Sequence, residues 1–242
     1  MSIIYGHRGA SAHAPENTLE AFALSMEMGA DGFELDVHMS KDGELVVIHD
    51  ETVDRTTDGT GFVRNLTLQQ LKELDASASM EGFRNCRIPT LREVFTLVQD
   101  TDHIVNVEIK TDECDYPGIE EKCLALAKEM GVEDKVIYSS FNHHTLIKMR
   151  QLKPDVKLGM LFGDIMVKPW EYAKQLDVEY LHPMKMNIYV PDFAKDATDA
   201  GYGINMWTIN DKETISYCLE QGVGIITNYP DVAVALRVEK AK

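Results

Sequence analysis

One stretch of this chain gathers two carboxylates and an imidazole by local geometry alone: Gly32-Phe-Glu-Leu-Asp-Val-His-Met-Ser-Lys-Asp-Gly-Glu-Leu-Val-Val-Ile-His-Asp50. Polar and apolar residues alternate from Phe33 to Asp36, the period of a strand with one buried face, so Glu34 and Asp36 point the same way. Leu45 to Ile48 is a second, β-branched run. Asp42-Gly43 between them is a strong hairpin signal, because the turn needs positive φ and Gly adopts it at little cost. A two-residue turn there sets Asp36 opposite His49, with Cβ atoms roughly 4.5–5.5 Å apart. A three-residue loop with a bulge is the other solution. It shifts the register by one and sets Asp36 opposite Ile48.

Other groups that could join this chemistry stand at the ends of strand-like segments: His7-Arg8, Glu108-Ile-Lys110, Ser139-Ser-Phe141, His182-Pro183 and Trp207. Glu34, Asp36 and Glu108 offer three carboxylates without a thiolate, a donor set suited to a hard divalent cation, Mg2+ or Ca2+. His7 and His49 are suited to general acid and general base work near neutrality. Arg8 and Lys110 could hold phosphoryl oxygens, and Trp207 could wall a small alcohol group. A cation bridging a phosphate oxygen and an attacking oxygen, flanked by an acid and a base, cleaves phosphodiesters. Singly, each residue has an ordinary explanation. A strand-end carboxylate is commonly a solvated loop residue, and a solitary histidine is more often structural than catalytic. His13, His38, His103, His143 and His144 are read as structural, while His182 stays open between the two roles.

Converging such residues requires a frame that brings strand ends to one mouth. Strand patterns begin near positions 3, 33, 104, 136, 158, 178, 204 and 224, and a helical pattern follows each. Asn17-Thr-Leu-Glu20 and Thr90-Leu-Arg-Glu93 open two of the helices as capping boxes; Gly29 closes the first of these, and Gly131, Gly201 and Gly222 close others. Eight βα units predict an α/β chain folded as a (β/α)8 TIM barrel, whose working residues lie at the C-terminal strand ends. An open doubly wound sheet is disfavoured because no Gly-x-Gly-x-x-Gly follows the first strand. Residues 38–88, the hairpin return plus a polar segment with one short helix, read as a small insertion after strand two. No linker interrupts 1–242, which reads as one domain.

The chain has 242 residues, 44% hydrophobic and 26% charged, ordinary for a globular protein. Its net charge of −16 argues against nucleic acid and against stable association with anionic membrane surfaces. An anionic small molecule would need a metal or local cations to offset that field. No signal peptide and no membrane-length apolar run is visible. Cys86, Cys114, Cys123 and Cys218 are scattered and read as free thiols. These features point to a cytoplasmic protein, with its oligomeric state, a homo-oligomer included, left open.

Taken in order, His7-Arg8-Gly9-Ala10, Pro15-Glu16-Asn17-Thr18, Glu34-Leu-Asp36, Lys41-Asp42-Gly43, Val47-Ile-His49-Asp50, Arg55-Thr56-Thr57-Asp58-Gly59, Ile88-Pro89-Thr90-Leu91, Glu108-Ile-Lys110 and Trp207-Thr208 resemble the ordered motifs of the glycerophosphodiester phosphodiesterases. The resemblance implies a TIM barrel and cation-dependent hydrolysis of a small-molecule glycerophosphodiester to sn-glycerol 3-phosphate and an alcohol. Carried over, it implies Glu34, Asp36 and Glu108 as metal ligands, His7 and His49 as the acid–base pair, and Arg8 and Lys110 as phosphate contacts, with Glu16 supporting the site from behind. The chain departs at its last strand, where Gly222-Val-Gly-Ile-Ile-Thr-Asn-Tyr-Pro230 lacks one aspartate of the family's usual pattern and has Asn228 for another. That departure falls where the barrel must close. Two rival readings are a related phospholipase-type phosphodiesterase acting on lysolipids and a catalytically silent barrel that only binds.

Overall fold

The computed structural model of the chain describes residues 2–78 and 80–241. It opens with β1 (Ile4–His7) and α1 (Leu19–Glu27), then β2 (Gly32–Met39) and its antiparallel return β3 (Leu45–Val47). A short 3-10 turn (Val63–Asn65), α2 (Leu68–Glu73) and α3 (Leu91–Val98) follow. The alternation then runs β4 (Ile104–Ile109), α4 (Ile119–Met130), β5 (Val136–Ser140), α5 (His143–Leu152), β6 (Lys157–Phe162), α6 (Pro169–Leu176), β7 (Tyr180–Pro183), α7 (Phe193–Asp199), β8 (Gly203–Met206), α8 (Lys212–Gln221), β9 (Gly224–Thr227) and α9 (Pro230–Lys240). Every strand except β3 pairs in parallel, and β1 pairs with both β2 and β9. The sheet therefore closes as the expected eight-stranded (β/α)8 barrel.

Closure at the altered last-strand motif is intact. Ile4, Tyr5 and Gly6 stand beside Ile225, Ile226 and Thr227. The missing aspartate leaves this register unbroken because ladder hydrogen bonds come from the backbone.

Alternation along β2 decides what enters the barrel. Phe33, Leu35 and Val37 belong to the large apolar core, and Phe33 stacks on Phe22 of α1 with ring centroids 4.5 Å apart, a contact worth roughly 0.5–1.5 kcal/mol beyond area burial. Their neighbours Glu34 and Asp36 consequently face the other way, into the barrel. Thr18 starts α1 by accepting the Ala21 amide at 3.2 Å, and Thr90 with Glu93 forms the capping box of α3. A second, smaller apolar cluster, built around Val46, Ile48, Val53 and Leu71, sits under the segment between β3 and α3.

The hairpin takes the three-residue solution. Val37, His38 and Met39 lie opposite Val47, Val46 and Leu45, and the Ile48 amide donates to the Asp36 carbonyl at 3.1 Å. Asp36 is thus opposite Ile48, which corrects the two-residue pairing with His49. The cause is local. Ser40 closes the loop from both ends, its amide donating to the Glu44 carbonyl at 2.9 Å and its hydroxyl accepting from the Glu44 amide at 2.9 Å. Gly43, at φ 84°, takes the left-handed position such a bulged loop requires. Along one edge of β2, β1 pairs with Gly32 to Glu34 and β3 with Val37 to Met39, while β4 holds the opposite edge. Among the described residues no helix is long and apolar enough to cross a membrane.

Candidate active site

The parallel register of β2 and β4 sets Asp36 beside Glu108 and Glu34 beside Asn106. Side chains of register partners share a face, so Glu34, Asp36 and Glu108 converge, each offering an oxygen within 4.8 Å of the others. All three are buried, and this is the one such group of potential metal ligands among the described residues. Burial raises the Glu34 carboxyl well above its usual range, and the charges of Asp36 and Glu108 raise it further. Burial and then the Asp36 charge push Glu108 up to about 7. Asp36 is held below its usual range: burial opposes ionisation there, but Arg8, His49 and Lys110 together outweigh it. Three adjacent buried carboxylates cannot all ionise without further positive charge.

The donor set fits a hard divalent cation on its own chemistry. It is all oxygen, held on two neighbouring strands, and Asp36 keeps Oδ1 buried without a hydrogen-bond partner while Oδ2 accepts from Asn17 Nδ2 at 2.9 Å. A buried carboxylate oxygen with no donor is costly unless it meets a cation or water.

Two cations stand against the cluster. The Arg8 amide donates to Glu34 Oε2 at 2.9 Å, and Arg8 Nε lies 3.5 Å from Asp36 Oδ2. Lys110 Nζ donates to Glu108 Oε1 at 2.9 Å, both side chains being buried. Arg8 and Asn17 both adopt left-handed backbone, at φ 54° and 56°, and the Asn17 amide donates to the Arg8 carbonyl at 3.0 Å. Such conformations cost about 1 kcal/mol or more in non-glycine residues and persist where the surroundings enforce them.

Both imidazoles border a pocket of about 100 Å3 over the cluster, together with Arg8, Glu34, Asn106, Glu108 and Trp207. Phe141 and Leu161 complete its apolar side, Phe141 meeting Trp207 edge to face at 5.5 Å. Larger clefts of about 440 and 510 Å3 lie elsewhere, beside Asp58 and Asp112, but neither holds the converging carboxylates. His7 Nδ1 bonds Asn228 Oδ1 at 2.7 Å. Burial, with the neighbouring Arg8, lowers its basicity to a pKa of about 4. His49 Nδ1 bonds Asp50 Oδ1 at 2.6 Å. Arg55 grips Asp50 at 2.7 and 3.0 Å and Glu16 at 2.8 Å twice, and Glu16 accepts from Arg8 Nη1 at 2.9 Å. These Arg55 hydrogen bonds hold the Asp50 carboxyl far below its usual range. One continuous chain of hydrogen bonds thus joins Arg8 to His49.

The predicted residues His7, Arg8, Glu34, Asp36, His49, Glu108 and Trp207 meet at one place, although His49 arrives beyond the end of β3 rather than as the strand partner of Asp36. Lys110 touches the cluster through Glu108 and does not line the pocket. Glu16 reaches it only through Arg8 and Arg55. His182 is not part of the pocket. It is buried inside the barrel, its Nε2 bonded to Asn205 at 3.0 Å, packed so closely on Gly159 that a Cβ there would lie 2.5 Å from the ring. His38 bonds Tyr116 and the His49 carbonyl at 2.9 and 3.0 Å. Asp50, Arg55, Asn106 and Asn228 carry no site signal of their own in the sequence, and Asn17, expected to cap α1, leaves the cap to Thr18 and bonds Asp36 instead. The adjacency of Asp50 to His49 was the one signal that could have exposed one of them.

Residues 7–232 match the sequence profile of the Glycerophosphoryl diester phosphodiesterase family. The chain is 46% identical over 237 residues to the glycerophosphodiester phosphodiesterase of Caldanaerobacter subterraneus subsp. tengcongensis, covering 97% of each, and 39% identical over 246 residues to that of Bacillus altitudinis, covering 99% of each. It superimposes on an Oleispira antarctica phosphodiesterase solved in complex with the product sn-glycerol-3-phosphate, with TM-score 0.86, 30% identity and coverage of 98% of this chain and 96% of that one. The family match spans nearly the whole barrel, and relatives this similar share it end to end. The chain belongs to the glycerophosphoryl diester phosphodiesterase family.

Proposed function

We propose that this protein hydrolyses glycerophosphodiesters to sn-glycerol 3-phosphate and an alcohol, using Mg2+ or Ca2+ and two histidines. The observation that carries the reading is the convergence of Glu34, Asp36 and Glu108 within 4.8 Å of one another beneath a pocket bordered by His7 and His49. Glu34, Asp36 and Glu108 hold the cation, which when bound stabilises charge developing on the phosphoryl group. Arg8 and Lys110 offset the remaining negative charge of the diester and the cluster. One imidazole removes a proton from the attacking hydroxyl or water, and the other delivers a proton to the leaving alkoxide. Trp207, with Phe141 and Leu161, screens the apolar side of the pocket from water. Glu16 and Arg55 keep Arg8 and Asp50 in place.

The test is release of glycerol 3-phosphate from a panel of diesters, with EDTA and then metal add-back. Loss of release in EDTA and its return with one divalent cation is expected. Turnover unaffected by chelation would overturn the cation's role, and no release from any glycerophosphodiester would overturn the substrate class.

A further inference from the structure

The two imidazoles at the pocket are backed by chemically different partners. His49 Nδ1 leans on the Asp50 carboxylate at 2.6 Å, whereas His7 Nδ1 leans on the Asn228 carboxamide oxygen at 2.7 Å. Asn228 follows directly on the β9–β1 seam. Gly6 is the register partner of Thr227, so the next residues along, His7 and Asn228, come side by side as the barrel closes. Its backbone is tied on both sides. The Asn228 amide donates to Asn210 Oδ1 at 2.9 Å, and the Ala12 amide donates to the Asn228 carbonyl at 3.2 Å. A carboxylate at this position would add another negative charge to a mouth already holding Glu16, Glu34, Asp36, Asp50 and Glu108. A carboxamide adds none.

An amide oxygen only accepts, so it selects the imidazole form that carries its proton on Nδ1. Nε2 has no protein partner among the described residues, and His7 borders the pocket. We propose that Asn228 is a positioning residue that holds His7 in the Nδ1–H tautomer, with the Nε2 lone pair turned to the substrate. An Nε2–H tautomer in the resting enzyme would instead present a donor to the attacking hydroxyl or water and could not take its proton. The assignment rests on the proposed function, with His7 as the imidazole that takes the proton.

The test begins with the wild-type protein loaded with Mg2+ at about pH 8, where uncharged imidazole is the form observed. Long-range 1H–15N spectra, with His7 signals identified by their loss in His7→Gln, are expected to show a protonated Nδ1 and an unprotonated Nε2. Asn228→Ala is expected to mix the two tautomers and to lower kcat roughly 10–100-fold, the loss typical of removing a group that orients a working histidine, while KM stays within about twofold. Asn228→Asp, which also accepts from Nδ1, is expected to restore the tautomer and most of kcat. A protonated Nε2 in the wild type overturns the proposal. So does Asn228→Ala with unchanged spectrum and kcat, or Asn228→Asp as impaired as Asn228→Ala. If Asn228→Ala fails to fold, the wild-type spectrum and Asn228→Asp decide alone. Full turnover in His7→Gln would remove the acid–base reading of His7, while the wild-type spectrum would still report which nitrogen Asn228 engages.

Discussion

Replacing Glu108 by Gln should stabilise the metal-free protein while destroying its response to metal. Gln has nearly the shape of the protonated carboxyl and carries no charge. Glu108 is pushed up to about 7 from an ordinary 4.5, at about 1.4 kcal/mol per pH unit. The folded chain therefore keeps a proton between those values that the unfolded chain has already lost. The stability this proton contributes is full below about 4.5 and is lost as pH rises through about 7, a loss of about 3 kcal/mol by pH 8. Urea denaturation in EDTA should find Glu108→Gln more stable than wild type by up to about 3 kcal/mol at pH 8 and by less than about 1 kcal/mol at pH 5. Saturating Mg2+ or Ca2+ should reverse the order. A cation at about a thousand times its dissociation constant adds about 4 kcal/mol to a protein that binds it, more than the variant's advantage in EDTA, and the variant lacks one of the three ligands. A variant less stable than wild type in EDTA at pH 8, or a difference equal at both pH values, would refute the picture of carboxylates repelling one another in a dry cluster.

His7→Ala and His49→Ala should each lower kcat by roughly two to four orders of magnitude with circular dichroism unchanged; near-normal turnover in either removes that residue from the acid–base pair. Cation affinity should tighten as pH rises from about 6 to 8, because a ligand held at about 7 must shed its proton. Calorimetry in two buffers of different ionisation enthalpy should register that proton, and a pH-independent affinity contradicts it. Asp50→Asn should reduce kcat roughly 10–100-fold with little change in KM, since it weakens the group that orients His49; wild-type kinetics would make Asp50 a bystander. Gly159→Ala should destabilise the fold by roughly 1–3 kcal/mol, because its Cβ would fall 2.5 Å from the His182 ring, and an unchanged urea midpoint would mean the barrel interior is looser than it looks.

Residue patterns carried the barrel and its acidic cluster because both follow from short-range rules. Period-two alternation placed Glu34 and Asp36 on one face, and parallel closure brings strand ends together whatever the loops between them. The hairpin register was beyond those rules, since it turns on the Ser40 hydroxyl bonding the Glu44 amide, and one hydroxyl in a polar loop leaves no periodic trace. Contacts made across the barrel were equally hidden. Asn228 meets His7 across a separation of 221 positions, and Glu16 meets Arg55 across 39. His182 could not be classed from sequence because its burial depends on glycine in the neighbouring strand, at position 159. Lys110 has the residue type and strand-end place expected of a phosphate contact, but the carboxylate two residues before it on the same face captures it.

The split edge of β2 makes the length of an outward-facing loop part of the enzyme's chemistry. Upright placement of Ile48 and Val46, and with it delivery of His49 to the mouth, depends on there being three residues between Ser40 and Glu44. Adding or removing one residue there would turn every side chain of the return strand to its opposite face, lifting Val46 and Ile48 out of their apolar cluster and re-aiming the His49 imidazole without changing a single residue that lines the pocket.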